Sequence, residues 1–219
     1  MSSTRELYPL VLVDIALFTV DQGQLRVLLV KRAQEPEAKR WALPGGILKP
    51  DIDSSLEAAA RRVLRTKVSV DVPHIEEVRT FSGAKRDSRG WSVAVLFYAL
   101  LPRDKVNELV RSKIEAVKWA DAADTGHPLA FDHAAQLIAA LDTLRAKIAG
   151  QTLPLHLLPE KFTLTELQVT CEAITGRPLD KGAFRRRLRS STELVPIDEF
   201  VRGAQRPAQL HMASADFRF

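Results

Sequence analysis

Apolar and polar positions over the first hundred residues follow a strand-like order interrupted once by a helical one. Leu10–Val20 is dense in Val, Leu, Ile and Phe, and Asp21-Gln-Gly-Gln turns it back into Leu25–Lys31, the pattern of a hairpin. Trp41–Gly46 leads through a polar loop to Leu56–Arg65, where Leu56, Ala60, Val63 and Leu64 form one helical stripe and Asp53 or Ser54 is placed as its cap. Val70–Ser82 and Trp91–Leu101 read as longer strands on either side of a polar turn, Gly83–Gly90. Their alternation is incomplete, as expected of strands covered on both faces. A short helix near Asp104–Arg111 and a strand at Ala116–Trp119 come next. Leu129–Ala149 then places Leu137, Ile138, Leu141, Leu144 and Ile148 at helical spacings.

Gly150–Lys161, with Gly150, Pro154 and Pro159, reads as a linker, and the pattern changes after it. Thr163-Leu-Thr-Glu166 matches a capping box ahead of the apolar stripe Leu164, Leu167, Cys171 and Ile174. Gly176 is placed to end that helix, and Asp180 to cap a second over Lys181–Ser190. Two short helices and a tight turn make a helix-turn-helix. The strand-like pieces Leu194–Val201 and Ala208–Met212, joined by Arg202-Gly-Ala-Gln-Arg206-Pro207, add a wing. The expected fold is α/β, with residues 1–149 as one domain, 150–161 as linker and 162–219 as a winged helix.

Composition adds little except in where charge falls. The chain is 46% hydrophobic and 27% charged, as for an ordinary globular protein. Its single cysteine, Cys171, excludes an internal disulfide framework, and neither a signal pattern nor a long apolar run is present. A soluble, cytoplasmic protein without membrane contact is expected. Net charge is +5, and Arg177 to Arg189 holds six cations against Asp180, so this one segment carries the whole excess. Lys181, Arg185 and Arg189 fall four apart, flanked by Arg186 and Arg187, while Phe184 and Leu188 face inward. Arginine's planar fork suits guanine edges and phosphates, so these five residues, with Arg202 and Arg206 on the wing, are the candidate contacts to double-stranded DNA. A merely solvated face, or binding of RNA or protein, remains the other reading.

Gly45 to Val70 resembles a Nudix box, G-x5-E-x7-R-E-U-x-E-E-x-G-U with U a bulky aliphatic residue. Leu43-Pro44-Gly45-Gly46 resembles its opening and Arg62 its arginine. Aligned on Arg62 and Leu64, however, Ser54, Val63, Thr66 and Lys67 occupy the four acidic positions, and two extra residues precede Arg62. In a working box those carboxylates hold Mg²⁺ or Mn²⁺, whereas a lysine puts positive charge where the metal would sit. No catalytic or metal-binding residue is therefore assigned. Together with Pro-Leu-Ala-Phe-Asp-His at 128–133 and the winged helix, these features resemble the Nudix-related transcriptional regulators of the NrtR group.

That resemblance covers nearly the whole chain. It implies a homodimeric repressor of NAD-synthesis and salvage genes on a palindromic operator, with ADP-ribose or a related nucleotide as effector and no required cofactor. Lys31, Arg32, Arg62, Lys67 and Arg89 are the candidates to neutralise a diphosphate, Gly45 and Gly46 line the site, and Trp41, Trp91 or Phe131 would stack on adenine. Two alternatives stay open: a metal-dependent hydrolase of ADP-ribose-like nucleoside diphosphates using Asp51, Asp53 and Glu57, and a ligand-free dimerisation platform.

Overall fold

Strand β1 (Leu10–Asp21) organises the first half because both its edges are occupied. One edge runs parallel to β6 (Ser92–Leu100), from Leu10 opposite Ser92 to Phe18 opposite Leu100. The other is shared by two antiparallel partners, β4 (Gly45–Ile47) beside Leu12 to Asp14 and β2 (Gln24–Lys31) beside Phe18 to Asp21. β2 continues to β3 (Trp41–Ala42) and, on its far edge, β7 (Val117–Asp121), and β5 (His74–Gly83) closes the other side against β6. The result is a seven-stranded mixed sheet. The computed structural model describes residues 8–102, 104–105, 117–124, 126, 128–148, 152–189, 191–201, 207–214 and 217.

Alternation along β1 sends its side chains to two apolar layers. Val13, Ile15 and Leu17 pack beneath α1 (Leu56–Val68) with its Ala59, Ala60, Val63, Leu64 and Val68. Ala16, Phe18 and Val20 pack beneath α2 (His133–Lys147) with its Leu137, Ala140, Leu141 and Leu144. Ile138, expected on the α2 stripe, is 42% exposed because it lies one residue, about 100°, off it. The α1 cap is also corrected: Ser55, not Asp53 or Ser54, accepts the Ala58 N–H at 3.0 Å. Asp53 is instead drawn into a pair described below.

The second half is a three-stranded sheet, β8 (Phe162–Thr163), β10 (Ala208–Ala213) and β9 (Leu194–Val201), carrying α3 (Leu164–Thr175) and α4 (Lys181–Arg189). Thr163 and Glu166 form both bonds of the capping box, and Gly176 ends α3 at φ 70. Asp180 caps α4, accepting the Ala183 N–H at 2.6 Å. The connection between β9 and β10, with Arg202 and Arg206, lies outside the described residues, as does most of the helix expected near Asp104–Arg111. Among the described residues no helix is long and apolar enough to cross a membrane.

The segment read as a linker is packed rather than loose. Leu153–Leu157 forms a 3-10 turn, and Leu153, Leu157 and Leu158 are buried. They join the layer beneath α2 to Leu167, Cys171, Ile174, Phe184 and Leu188, so one apolar core runs through both halves. Arg145 near the end of α2 adds a polar tie, its Nε donating to Ile174 O at 3.1 Å. Leu157→Ala should therefore cost about 2–5 kcal/mol. Urea unfolding should show one transition for both halves, and two separated transitions would mean that the core is not shared in this way.

Candidate functional site

β4 can lie close against its neighbours only because it begins with two glycines. A Cβ on Gly45 would stand 2.1 Å from Asp14 Oδ1, and one on Gly46 would stand 2.8 Å from Val63 Cγ2. Beside these glycines opens a cleft of about 620 Å³. The end of β2, the α1 face carrying Arg62, Thr66 and Lys67, the turn Arg86–Arg89, and Phe131 and His133 line it. This is the size range of small-molecule and cofactor sites.

The α1 wall is cationic. Arg62 forks onto Asp53, Nε to Oδ1 at 2.6 Å and Nη2 to Oδ2 at 2.7 Å, and also donates to Ile47 O at 3.1 Å. The fork holds the Asp53 carboxyl at about 2, with the Lys49 N–H as a second donor. The Lys67 ammonium donates to Gly45 O. Burial pushes the Lys67 pKa down, and the Arg32 and Arg62 charges push the same way.

Of the other positions that are acidic in a working Nudix box, Ser54 is exposed and Val63 is in the core. Thr66 Oγ1 donates back to Arg62 O at 2.8 Å. Asp53 is spent on Arg62, Glu57 pairs with Arg61 at 2.8 Å, and Asp51 is exposed. These donors do not fit a divalent cation, which needs several converging oxygen ligands. Among the described residues no three His, Cys, Asp or Glu side chains cluster to hold a metal.

The floor is a buried polar network around Asp14. Gln136 Nε2 donates to Asp14 Oδ2 at 3.0 Å and to Asp132 Oδ1 at 2.9 Å. Arg86 grips Asp132 at 2.8 and 3.0 Å, donates to Ser92 Oγ at 3.1 Å, and lies 3.8 Å from Asp14. His133 Nδ1 accepts the Leu43 N–H at 2.9 Å, leaving Nε2 to carry the proton 3.6 Å from Asp14. Burial pushes the His133 pKa down, so the ring is held neutral. Arg32 lies 4.7 Å from the Phe131 ring centroid, and its pKa is lowered by burial and then by Arg89. Arg89 itself forks onto Asp87 at 2.6 and 3.0 Å.

Eight of the sequence candidates line this cleft: Lys31, Arg32, Gly45, Gly46, Arg62, Lys67, Arg89 and Phe131. The two tryptophans do not. Trp41 packs against the core next to α2, with Lys118 Nζ 4.5 Å from its ring, and Trp91 is 51% exposed at the head of β6. Sequence reasoning missed Asp14, Arg86, Asp87 and His133 as cleft residues, and Asp132 and Gln136 as their partners beneath it. Asp14 left a readable signal, an acid in the middle of a mostly apolar strand.

On α4 the structure exposes Lys181, Arg185, Arg186, Arg187 and Arg189 and buries Phe184 and Leu188. Among the described residues no intramolecular ion pair involves Lys181, Arg185, Arg186 or Arg189. Among the described residues, these four cations are therefore not neutralised by ion pairs.

Comparison with known proteins agrees with both halves. Residues 10–141 match the Nudix domain family, and residues 154–212 match the NrtR DNA-binding winged helix domain. The chain is 41% identical over 215 residues to the ADPR responsive transcriptional repressor NtrR of Acinetobacter baylyi, covering 96% of this chain and 86% of that protein. Shewanella oneidensis NrtR complexed with a 27mer DNA superposes with a TM-score of 0.86 at 37% identity, over 95% of this chain and 97% of that one. The Nudix domain of the same Shewanella protein complexed with ADP ribose matches at a TM-score of 0.56 and 36% identity, over 66% and 94% of the two chains.

The Asp53–Arg62 fork makes a pH prediction. The Asp53 carboxyl titrates at about 2 in the fold, against an ordinary 3.8. Its stabilisation is thus present above pH of about 4 and is lost as pH falls toward 2. Asp53→Asn should be less stable than the parent near neutrality, with the gap closing on acidification. A gap that stays constant from pH 6 to pH 2 in thermal melts would mean the fork is not the cause.

Proposed function

The chain belongs to the NrtR family of Nudix-related transcriptional regulators, and from that premise we propose that it is a DNA-binding repressor that senses ADP-ribose or a related nucleotide without hydrolysing it. One observation carries this reading: cations crowd the cleft where a hydrolase needs carboxylates, and a shared core ties that cleft to a helix whose basic side chains are exposed. Lys67 and Arg32, whose charges are disfavoured by burial and by neighbouring cations, would be relieved by an anion. They would take the diphosphate, and the Arg32–Phe131 stack offers a flat surface to a base. Arg62 and Arg89 are held by Asp53 and Asp87, and would act by adding to the positive field.

No cofactor or metal is needed for binding of this kind. The repressor would act in the cytoplasm on NAD-synthesis and salvage genes. It would work as a homodimer on a palindromic operator, its two recognition helices one or two helical turns apart, at roughly 34 Å per turn. Among the described residues, a hydrolase reading has no cluster of converging acids to support it.

ADP-ribose should bind in excess EDTA by titration calorimetry, and Lys67→Glu should weaken it at least about tenfold, the order of one charge-assisted hydrogen bond. It should also lower operator affinity by about 5- to 150-fold in gel shifts. Turnover of ADP-ribose with added Mn²⁺ would overturn the sensor reading, and tight binding by Lys67→Glu would move the diphosphate elsewhere.

A further inference from the structure

Phe184 and Leu188 are the buried residues of α4, so they set which way that helix faces. At about 100° per residue, Arg186 lies about 180° from the midline between them. Gly182 and Arg189 lie about 140° and about 120° from it on the same outer side. Arg185 and Arg187 sit about 80° away on opposite flanks, and Lys181 is nearer still to the buried side. The outer face thus carries Gly182, Arg186 and Arg189 along one strip, with Ala183 beside it on the opposite flank, which differs from the row Lys181–Arg185–Arg189 that spacing alone suggests.

Gly182 is the informative member. Glycine weakens a helix relative to alanine, and α4 has only nine residues. Its backbone is helical and needs no glycine, and among the described residues a Cβ would meet Asp180 Oδ1 at 3.3 Å and Arg186 Nη1 at 3.7 Å, with no backbone or core atom in the way. Asp180 Oδ1 is the α4 cap, so a Cβ asks that exposed carboxylate to give by a few tenths of an ångström while it holds the Ala183 N–H, a displacement within reach of a side chain in solvent. A solvated basic face kept for solubility has no use for a glycine on its outer side. A surface pressed against another molecule does, because the missing side chain lets the backbone come close.

On the DNA-binding reading above, we propose that Gly182, Arg186 and Arg189 form the strip that meets base edges, while Arg185, Arg187 and Lys181 lie along its margins on phosphates. Gly182 seats the first turn of α4 deep in the major groove. One turn on, Arg186 presents its planar fork to a purine edge, for which guanine O6 and N7 are the matching acceptors. The flanking cations straddle the groove, where charge rather than planarity matters.

The test uses the full-length chain and a duplex selected by it from a random pool, with single-base-pair variants and an unrelated duplex, at several salt concentrations. Gly182→Ala should melt no lower than the parent yet bind the selected duplex at least about tenfold more weakly, with binding to the unrelated duplex little changed. Arg186→Lys should keep the salt dependence but lose about tenfold or more of discrimination at one base pair, since an ammonium cannot make the fork. Arg185→Ala should weaken binding to every duplex and lower the slope of log affinity against log salt by about one. Parental binding by Gly182→Ala, or exchanged behaviour of the Arg185 and Arg186 variants, would overturn the assignment alone. Failure of the parent chain to select any duplex would overturn the assignment together with the DNA-binding reading.

Discussion

One helix has to bury apolar surface belonging to two domains, and the arrangement of both sites follows from that. Leu137, Ala140, Leu141 and Leu144 of α2 cover one face of the mixed sheet. The same apolar mass passes through Leu153 and Leu157 into Leu167, Cys171 and Ile174. A unit of some 60 residues buries only about 60% of its surface when folded alone, so the small second half gains by sharing a core. α2 starts at the cleft floor with His133 and Gln136 and ends near Arg145, bonded to the last turn of α3. Its fifteen residues make a rod of roughly 22 Å between the two sites.

Against that frame, the changes on α1 alter chemistry without altering shape. Val63 fills core under Gly46, and Thr66 folds back on its own helix. Lys67 spans to the Gly45 carbonyl and so keeps β4 tied to α1 by a cation. The Arg62–Asp53 fork holds the loop ahead of the helix in place. The scaffold therefore stands with the sign of the cleft reversed. Burial and mutual repulsion depress the pKa values of Lys67 and Arg32, and a bound anion would relieve that repulsion.

Much of this was legible because local signals and tertiary needs agreed. The capping box at Thr163, the stop at Gly176, the Asp180 cap and the Phe184–Leu188 face are all local features, and all appear as the pattern predicts. The misses are places where partners lie far apart in the chain. Asp53 looks like a cap until Arg62 claims it, nine residues on. The polar floor joins Asp14, Arg86 and Gln136, whose separations no periodicity encodes. Gly150–Lys161 carries the prolines of a linker, but its leucines serve the shared core. Trp41 and Trp91 look like stacking residues in isolation, and only β3 and β6 reveal that they lie off the cleft.

The shared core also limits how a nucleotide in the cleft would act on α4. Coupling of about 1–3 kcal/mol is typical between two sites on one protein, and linkage makes DNA weaken the effector as much as the effector weakens DNA. Pulling the domains apart would expose Leu153, Leu157 and Leu167 together, at about 1.5–3 kcal/mol for each buried side chain. That exceeds what the coupling can supply. A response of the proposed kind would therefore keep the core closed and move α2 as a body. The groups at its first turn, Asp132, His133 and Gln136, already share one hydrogen-bonded network with Arg86 and Asp14. On the proposed function, a diphosphate beside Arg32 and Lys67 would change the field on that network and hence the favoured position of the helix. Arg145 would then carry the shift to α3 and so to the recognition helix it supports.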